Sequence, residues 1–201
     1  MTEAESKASN PRGYRLFALA AAVYTIGVVA FSAGSYFQHR SIIFAQIDQT
    51  LINATHATEQ ILGSIFIECA VETESLHEFG YAANQAELSR FAEACHLAVV
   101  GAAARKGTNT WSLIAGTGNA GSIPPNDIHF KDPLNPNLSS IIQEIAHSKT
   151  ENIRVQNVLH EKYGPLRMAT RYHAISDDDG YALIAAQNIE HVGDLMRGQV
   201  I

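Results

Sequence analysis

Cysteine is scarce: Cys69 and Cys95 are the only two in 201 residues. Two cysteines cannot supply the framework of a disulfide-stapled domain. Spacing alone leaves open whether they pair or pack as small apolar residues, because a bridge demands a particular Cα separation. Positive charge is also short. Fourteen basic residues stand against 20 acidic ones, the net charge is −6, and no basic stripe occurs. That balance argues against a nucleic-acid partner. Catalytic signatures are missing too. There is no G-x-S-x-G, no Walker motif and no activated-cysteine context, so nothing supports an enzyme. Nine histidines are many, yet none forms an H-x-x-x-H or H-E-x-x-H pair and no C-x-x-C-H exists. No metal and no cofactor is expected. A pH-responsive surface stays open, because imidazole titrates near neutrality.

What is present begins near the N-terminus. Residues 16–37 contain no charged side chain and are flanked by Arg12 and Arg15 before and His39 and Arg40 after. As a helix the 22 residues span about 33 Å, against about 30 Å of bilayer hydrocarbon. A cleaved secretory signal is the competing reading, supported by the small residues Ser32, Ala33, Gly34 and Ser35. The run exceeds the usual signal core of about 7–15 residues, and Phe31-Ser32-Ala33 is a poor cleavage pattern. The expectation is therefore an uncleaved transmembrane helix over 14–38. Lys7, Arg12 and Arg15 precede it and only Arg40 follows closely. The positive-inside bias places the N-terminus in the cytoplasm and the bulk of the chain outside it. Residues 1–13, polar and rich in Ser, Asn and Pro, read as a disordered cytoplasmic tail.

Beyond the anchor, 39–197 read as one domain of ordinary size. Phe44, Ile47, Leu51, Ala54, Thr58, Ile61 and Ile65 recur at spacings of 3 and 4, with Asp48 and Glu59 off the stripe. This predicts a long helix from 41 to about 66, whose seam dimerises, lies on its own domain, or does both at different heights. A second helix is expected over 85–95, with Asn84 as N-cap and Glu87 completing a capping box. Residues 97–104 and 110–115 read as a hairpin around a polar turn. A Gly/Pro/Asn-rich loop follows over 116–135. Pro136 then opens a short helix bearing Leu138, Ile141, Ile142 and Ile145. Strands are predicted over 153–160, 166–174 and 181–188, and an exit helix over 189–199. The order predicts an α+β domain with a five-stranded antiparallel sheet.

Three motifs invite chemistry. Residues 116–121 spell G-x-G-x-x-G after a strand, but Ser122-Ile123-Pro124-Pro125 cannot open the helix that a pyrophosphate requires. Asp177-Asp178-Asp179-Gly180 lacks the ligand spacing of a calcium loop and reads as a solvated hairpin turn. Arg167 and Arg171 point the same way on one strand, with Tyr163 just upstream. Two guanidiniums there either hold a carboxylate or sit solvated on a wet sheet face.

The layout resembles the Cache family of PAS-like extracytoplasmic sensor domains. The resemblance is carried by the order of elements. An anchor runs into a long helix, then a hairpin, a variable loop and a short helix. The segment Tyr163-Gly164-Pro165-Leu166-Arg167-Met168-Ala169 and the ending from Asp179-Gly180-Tyr181 to Asn188-Ile189 are similar to the family's late strands. It implies a long helix packed on a central antiparallel PAS-like sheet. It also implies a small metabolite held between the sheet and the loop–helix region, and Arg167 and Arg171 point to an anion. Mapped here, that ligand site comprises Trp111, His129, Tyr163, Arg167 and Arg171. The family further implies a homodimer in a bacterial inner membrane, the main domain periplasmic, and a signal passed toward a second membrane helix that 198–201 would begin. Output would be a histidine kinase, chemoreceptor or diguanylate cyclase. The alternative is an anchored envelope accessory protein with no small ligand.

Overall fold

The computed structural model describes residues 11–73, 81–107, 111–117, 134, 136–148, 152–160, 163–176, 178–190 and 192. The tail 1–10, most of the loop 116–135 with His129, and the exit segment past 192 lie outside the described residues. The chain divides into two compact units, Met1–Phe44 and Ala45–Ile201.

In the first unit, helix α1 (Pro11–Leu62) begins, and its side chains from Tyr14 to Phe37 meet almost no other protein atom. Leu16, Phe17, Val23, Ile26 and Phe31 are all exposed. The Thr25 hydroxyl donates to the Ala21 carbonyl at 2.8 Å, so the helix satisfies even this polar group internally. One helix of this chain is thus long and apolar enough to cross a membrane.

In the second unit, α1 continues to Leu62, where Gly63 at φ 74° turns the chain into α2 (Ser64–Thr73). Only glycine takes that left-handed conformation without Cβ strain. The expected helix to about residue 66 is therefore broken at Gly63, and Ile65, the last seam position, swings out to 71% exposure. Helix α2 itself had not been expected, although Phe66, Ile67, Ala70 and Val71 are all buried. Helix α3 (Tyr81–Ala94) starts earlier than the Asn84 cap implied, because Tyr81 packs on the core. It closes in a Schellman turn: Leu97 N–H reaches the Ala92 carbonyl at 2.8 Å while His96 takes φ 54°.

The strands are β1 (Val99–Arg105), β2 (Ser112–Gly116), β3 (Ile153–His160), β4 (Gly164–Ala174) and β5 (Gly180–Asn188). Helix α4 (Pro136–His147) precedes β3, with Pro136 in its first turn as expected. The sheet is wholly antiparallel in the order β2-β1-β5-β4-β3. The α+β class with a long helix and five antiparallel strands is what the sequence predicted.

Period-2 alternation gives the sheet two covered faces. Val100, Ala102, Ala104, Ala169, Leu183 and Ala185 join the core beneath α1, α2 and α3. Ala103, Leu166, Met168, Ala182, Ile184 and Ala186 join a second core beneath α4. The helical seam serves the first of these. Leu51, Ala54 and Thr58 are buried, and Ile47 and Ile61 pack against the same cluster. From Ile47 to Ile61 the seam lies on its own domain. Its buried hydroxyls back-bond to the helix, Thr58 to Ala54 and Thr55 to Ile52, each at 2.8 Å.

A bulge between Ala102 and Ala103 shifts the β1–β2 register. Beside it Gly101 passes so close that a Cβ would stand 2.6 Å from the Ala115 carbonyl oxygen. Backbone cannot yield as a side-chain tip can. Gly101→Ala is expected to cost about 1–3 kcal/mol, read as a lower melting temperature of the intact chain. Wild-type melting would rule out the close approach.

Candidate functional site

The hairpin of β1 and β2 brings Arg105, its last residue before the turn, beside Trp111, the first residue after it. The Arg105 guanidinium lies over the Trp111 ring, 5.3 Å from its centroid. Gln143 of α4 joins them: its Oε1 accepts from Arg105 Nη1 at 2.8 Å and from Trp111 Nε1 at 3.3 Å. Tyr172 of β4 meets Trp111 edge to face at 6.0 Å and 81°. Gly180 makes room, since a Cβ there would stand 2.7 Å from the Tyr172 hydroxyl. Burial pushes the Tyr172 phenol up, and Arg105 opposes it.

Arg105, Gln143 and Tyr172 line a cavity of about 410 Å³ with Gly107, Ala146, His147 and Asp178. Gly107 of its lining is held by Asp179, whose Oδ1 accepts the Gly107 N–H at 2.7 Å. That bond, then the Ser176 hydroxyl, holds the Asp179 carboxyl below the usual range. The triple-aspartate turn therefore ties the β4–β5 hairpin to the β1–β2 turn. Two polar atoms here are buried without a hydrogen-bond partner among the described residues, Arg105 Nε and Thr170 Oγ1. Thr170 sits two residues from Tyr172 on the same strand face. A buried donor without a partner costs about 1–3 kcal/mol, which a ligand acceptor would recover. A permanent cation stacked on an indole, with phenol and amide beside it, suits a small anion.

The opposite face carries a second polar set. Arg167 grips Asp48 of α1 with both arms, Nε to Oδ1 and Nη2 to Oδ2 at 2.7 Å each, and Nη1 reaches Asn157 at 3.0 Å. The Asp48 hydrogen bonds raise the Arg167 pKa further. Arg171 Nη1 donates to Glu59 Oε2 at 2.7 Å and to His56 Nδ1 at 2.8 Å. Tyr181 donates its hydroxyl to Glu59 Oε1 at 3.1 Å. His173 stacks on the Tyr181 ring at 4.8 Å and 6°. Burial, then the Glu59 charge, pushes the Tyr181 phenol up to about 12.

The five residues mapped from the sequence are thus not brought into one place. Trp111 packs against Arg105 and Tyr172, which line the cavity, but is not itself in its lining. Tyr163 is on the same side of the sheet but at the far end of β4, roughly 30 Å from Tyr172 along the strand, beside His160. Arg167 and Arg171 face the other way. Their side chains are 19% and 15% exposed, so a solvated strand face is corrected as well. Acidic residues of α1 cover them, over 119 and 112 positions away in sequence. His129 lies outside the described residues.

Sequence reasoning passed over Arg105, Gln143 and Tyr172. A signal existed for the first, because residues flanking a hairpin turn become neighbours; Arg105 was read only as part of the turn. Gln143 and Tyr172 needed the placement of α4. Of the G-x-G-x-x-G run, Gly116 is held at both ends of its peptide by the Gln85 side chain, which accepts from its N–H at 3.1 Å and donates to its carbonyl. Thr117 caps Val100. Cys69 and Cys95 are not bridged to one another, and no metal-binding cluster occurs among the described residues.

No protein-family model and no curated protein matches this chain, so its functional reading rests on the geometry of the cavity and of the covered sheet.

Proposed function

We propose that the chain is a ligand-sensing domain of a bacterial transmembrane receptor, of the Cache-like, PAS-like kind, that takes a small organic anion at the Arg105 cavity. The observation that carries this reading is Arg105, a permanent cation lining a cavity between the sheet and α4, whose Nε is buried without a hydrogen-bond partner among the described residues. The layout supports it. A long helix covers one sheet face and the segment holding α4 covers the other, which is the division of labour the resemblance implies. A ligand can shift α1 only by binding its two positions unequally. The sheet offers a route, because β4 carries Tyr172 on one face and Arg171, which holds α1, on the other. In this reading the apolar half of α1 crosses an inner membrane, and the sheet domain lies in the periplasm as a homodimer. With the seam from Ile47 to Ile61 spent on its own domain, such a dimer needs another surface.

The test uses the intact chain in lipid nanodiscs. A panel of small mono- and dicarboxylates and inorganic phosphate is screened by thermal shift. A binder at a hundred times its Kd stabilises by about 2.7 kcal/mol, a rise of several degrees. Arg105→Ala is expected to abolish that rise. Arg167→Ala, on the other face, is expected to lower the baseline and keep the rise. A panel without any shift, or a shift that survives Arg105→Ala, would leave the accessory-protein reading in its place.

A further inference from the structure

The contact between α1 and β4 is built around one carboxylate. Glu59 accepts from Arg171 and Tyr181, and His173 Nε2 stands 3.8 Å from its Oε1, too far to bond. That His173 nitrogen is buried with no hydrogen-bond partner among the described residues. His56 shares the same guanidinium from the helix side. An arginine only donates and stays charged, so the His56 Nδ1 it points at must carry a lone pair. In this contact His56 Nδ1 is therefore the acceptor.

We propose that His56 and His173 make this contact a proton-operated latch, which holds the C-terminal half of α1 on the sheet when both are neutral and releases it when they are charged. At neutral pH the contact holds one fixed cation, Arg171, bonded to one carboxylate, Glu59, with the Glu68 charge nearby on α2. Protonating both imidazoles puts three cations around the Glu59 carboxylate. The groups facing it are His56 and Glu59 of α1, Glu68 of α2, Arg171 and His173 of β4 and Tyr181 of β5. A proton on His56 Nδ1 removes the acceptor of Arg171 and sets two cations head to head. Burial, then Arg171, holds His173 below its ordinary pKa, while Glu59 pulls the other way.

The sign follows directly. A histidine depressed in the folded state binds fewer protons there than in the unfolded chain. The latch is then at full strength above about pH 6.5, the ordinary histidine value, and weakens as pH falls below it.

The geometry also makes the release one-sided. The other clamp joins Arg167 to Asp48 and Asn157, neither of which titrates as an imidazole does. It lies 11 residues along α1, about 16 Å away. Acid should free residues 55–62 and leave the turn at Asp48 in place. The latch stands whether or not the Arg105 cavity binds an anion.

Hydrogen exchange of the full chain in nanodiscs, corrected for intrinsic rates, tests this between pH 7.5 and 5. Protection over 55–62 is expected to fall by about tenfold or more, with the segment at Asp48 changing far less. In the double variant His56→Gln, His173→Phe, a neutral acceptor and an aromatic stack remain but nothing titrates, and the fall should vanish. A flat wild-type profile, or the same slope in the double variant, overturns the latch. Histidine side-chain NMR of the wild type gives an answer that needs no variant. The His56 proton must sit on Nε2 at pH 7.5; a proton on Nδ1 overturns it equally.

Discussion

Trp111→Ala is expected to remove about 3–5 kcal/mol of folding stability, the range for truncating a buried aromatic. The ring is 2% exposed and sits in the core beneath α4. It supports the edge of Tyr172, the face of Arg105 and, through Nε1, the side chain of Gln143. Truncation leaves a void and strips three elements of a shared contact. Against a total of about 5–15 kcal/mol for a domain, the loss is a large fraction. The melting temperature of the intact chain should drop by roughly 10 °C. Trp111→Phe separates packing from hydrogen bonding: most of the stability should return, and the weak bond to Gln143 should not. A loss under about 1 kcal/mol for the alanine variant would mean that the hairpin and α4 are held together by something else.

Arg171→Ala should cost about 2–3 kcal/mol, below the full value for breaking a buried pair because Glu59 remains 27% exposed. The penalty comes from Glu59, left facing the sheet with only the Tyr181 hydroxyl donating to it. A thermodynamic cycle with Glu59→Ala checks this. The double variant should cost clearly less than the sum of the singles, by about 1–3 kcal/mol. Additive costs would show that the two side chains are neighbours without being coupled. A second readout is independent of stability. Arg171 is one of the charges that lower the His173 pKa, and Glu59 raises it. Removing the arginine should therefore move the His173 titration upward in an NMR pH series, and a downward move would contradict the assignment.

The elements were legible wherever one local pattern decided them. Strand β3 falls where alternation and its turns placed it, and β4 and β5 begin only one or two residues early. Pro136 marked the start of α4. The apolar length of 16–37 implied a helix able to span a bilayer, and one is there. Missed boundaries have local causes that compete with pattern. Gly63 broke the long helix because a positive φ outranks the seam that runs through it. Tyr81 extended α3 because burial outranks a good cap at Asn84.

The candidate site divided differently. Composition settled that this is a mildly acidic chain with one apolar segment, one sheet domain and no catalytic signature, because those are properties of residue types and of near neighbours. Two arginines on one strand face were also determined by the sequence, through the period of two. What they touch was not. Asp48 and Glu59 come from over a hundred residues away, and their charges on a predicted helix look the same whether that helix lies on a sheet, on a second copy or in water. Only the laying of α1 across β4 turned a plausible anion site into an internal clamp, and only the seating of α4 on the other face made Arg105, an apparent turn residue, the half-buried cation of a cavity. Long-range pairing depends on which faces the core covers, and no local period encodes that.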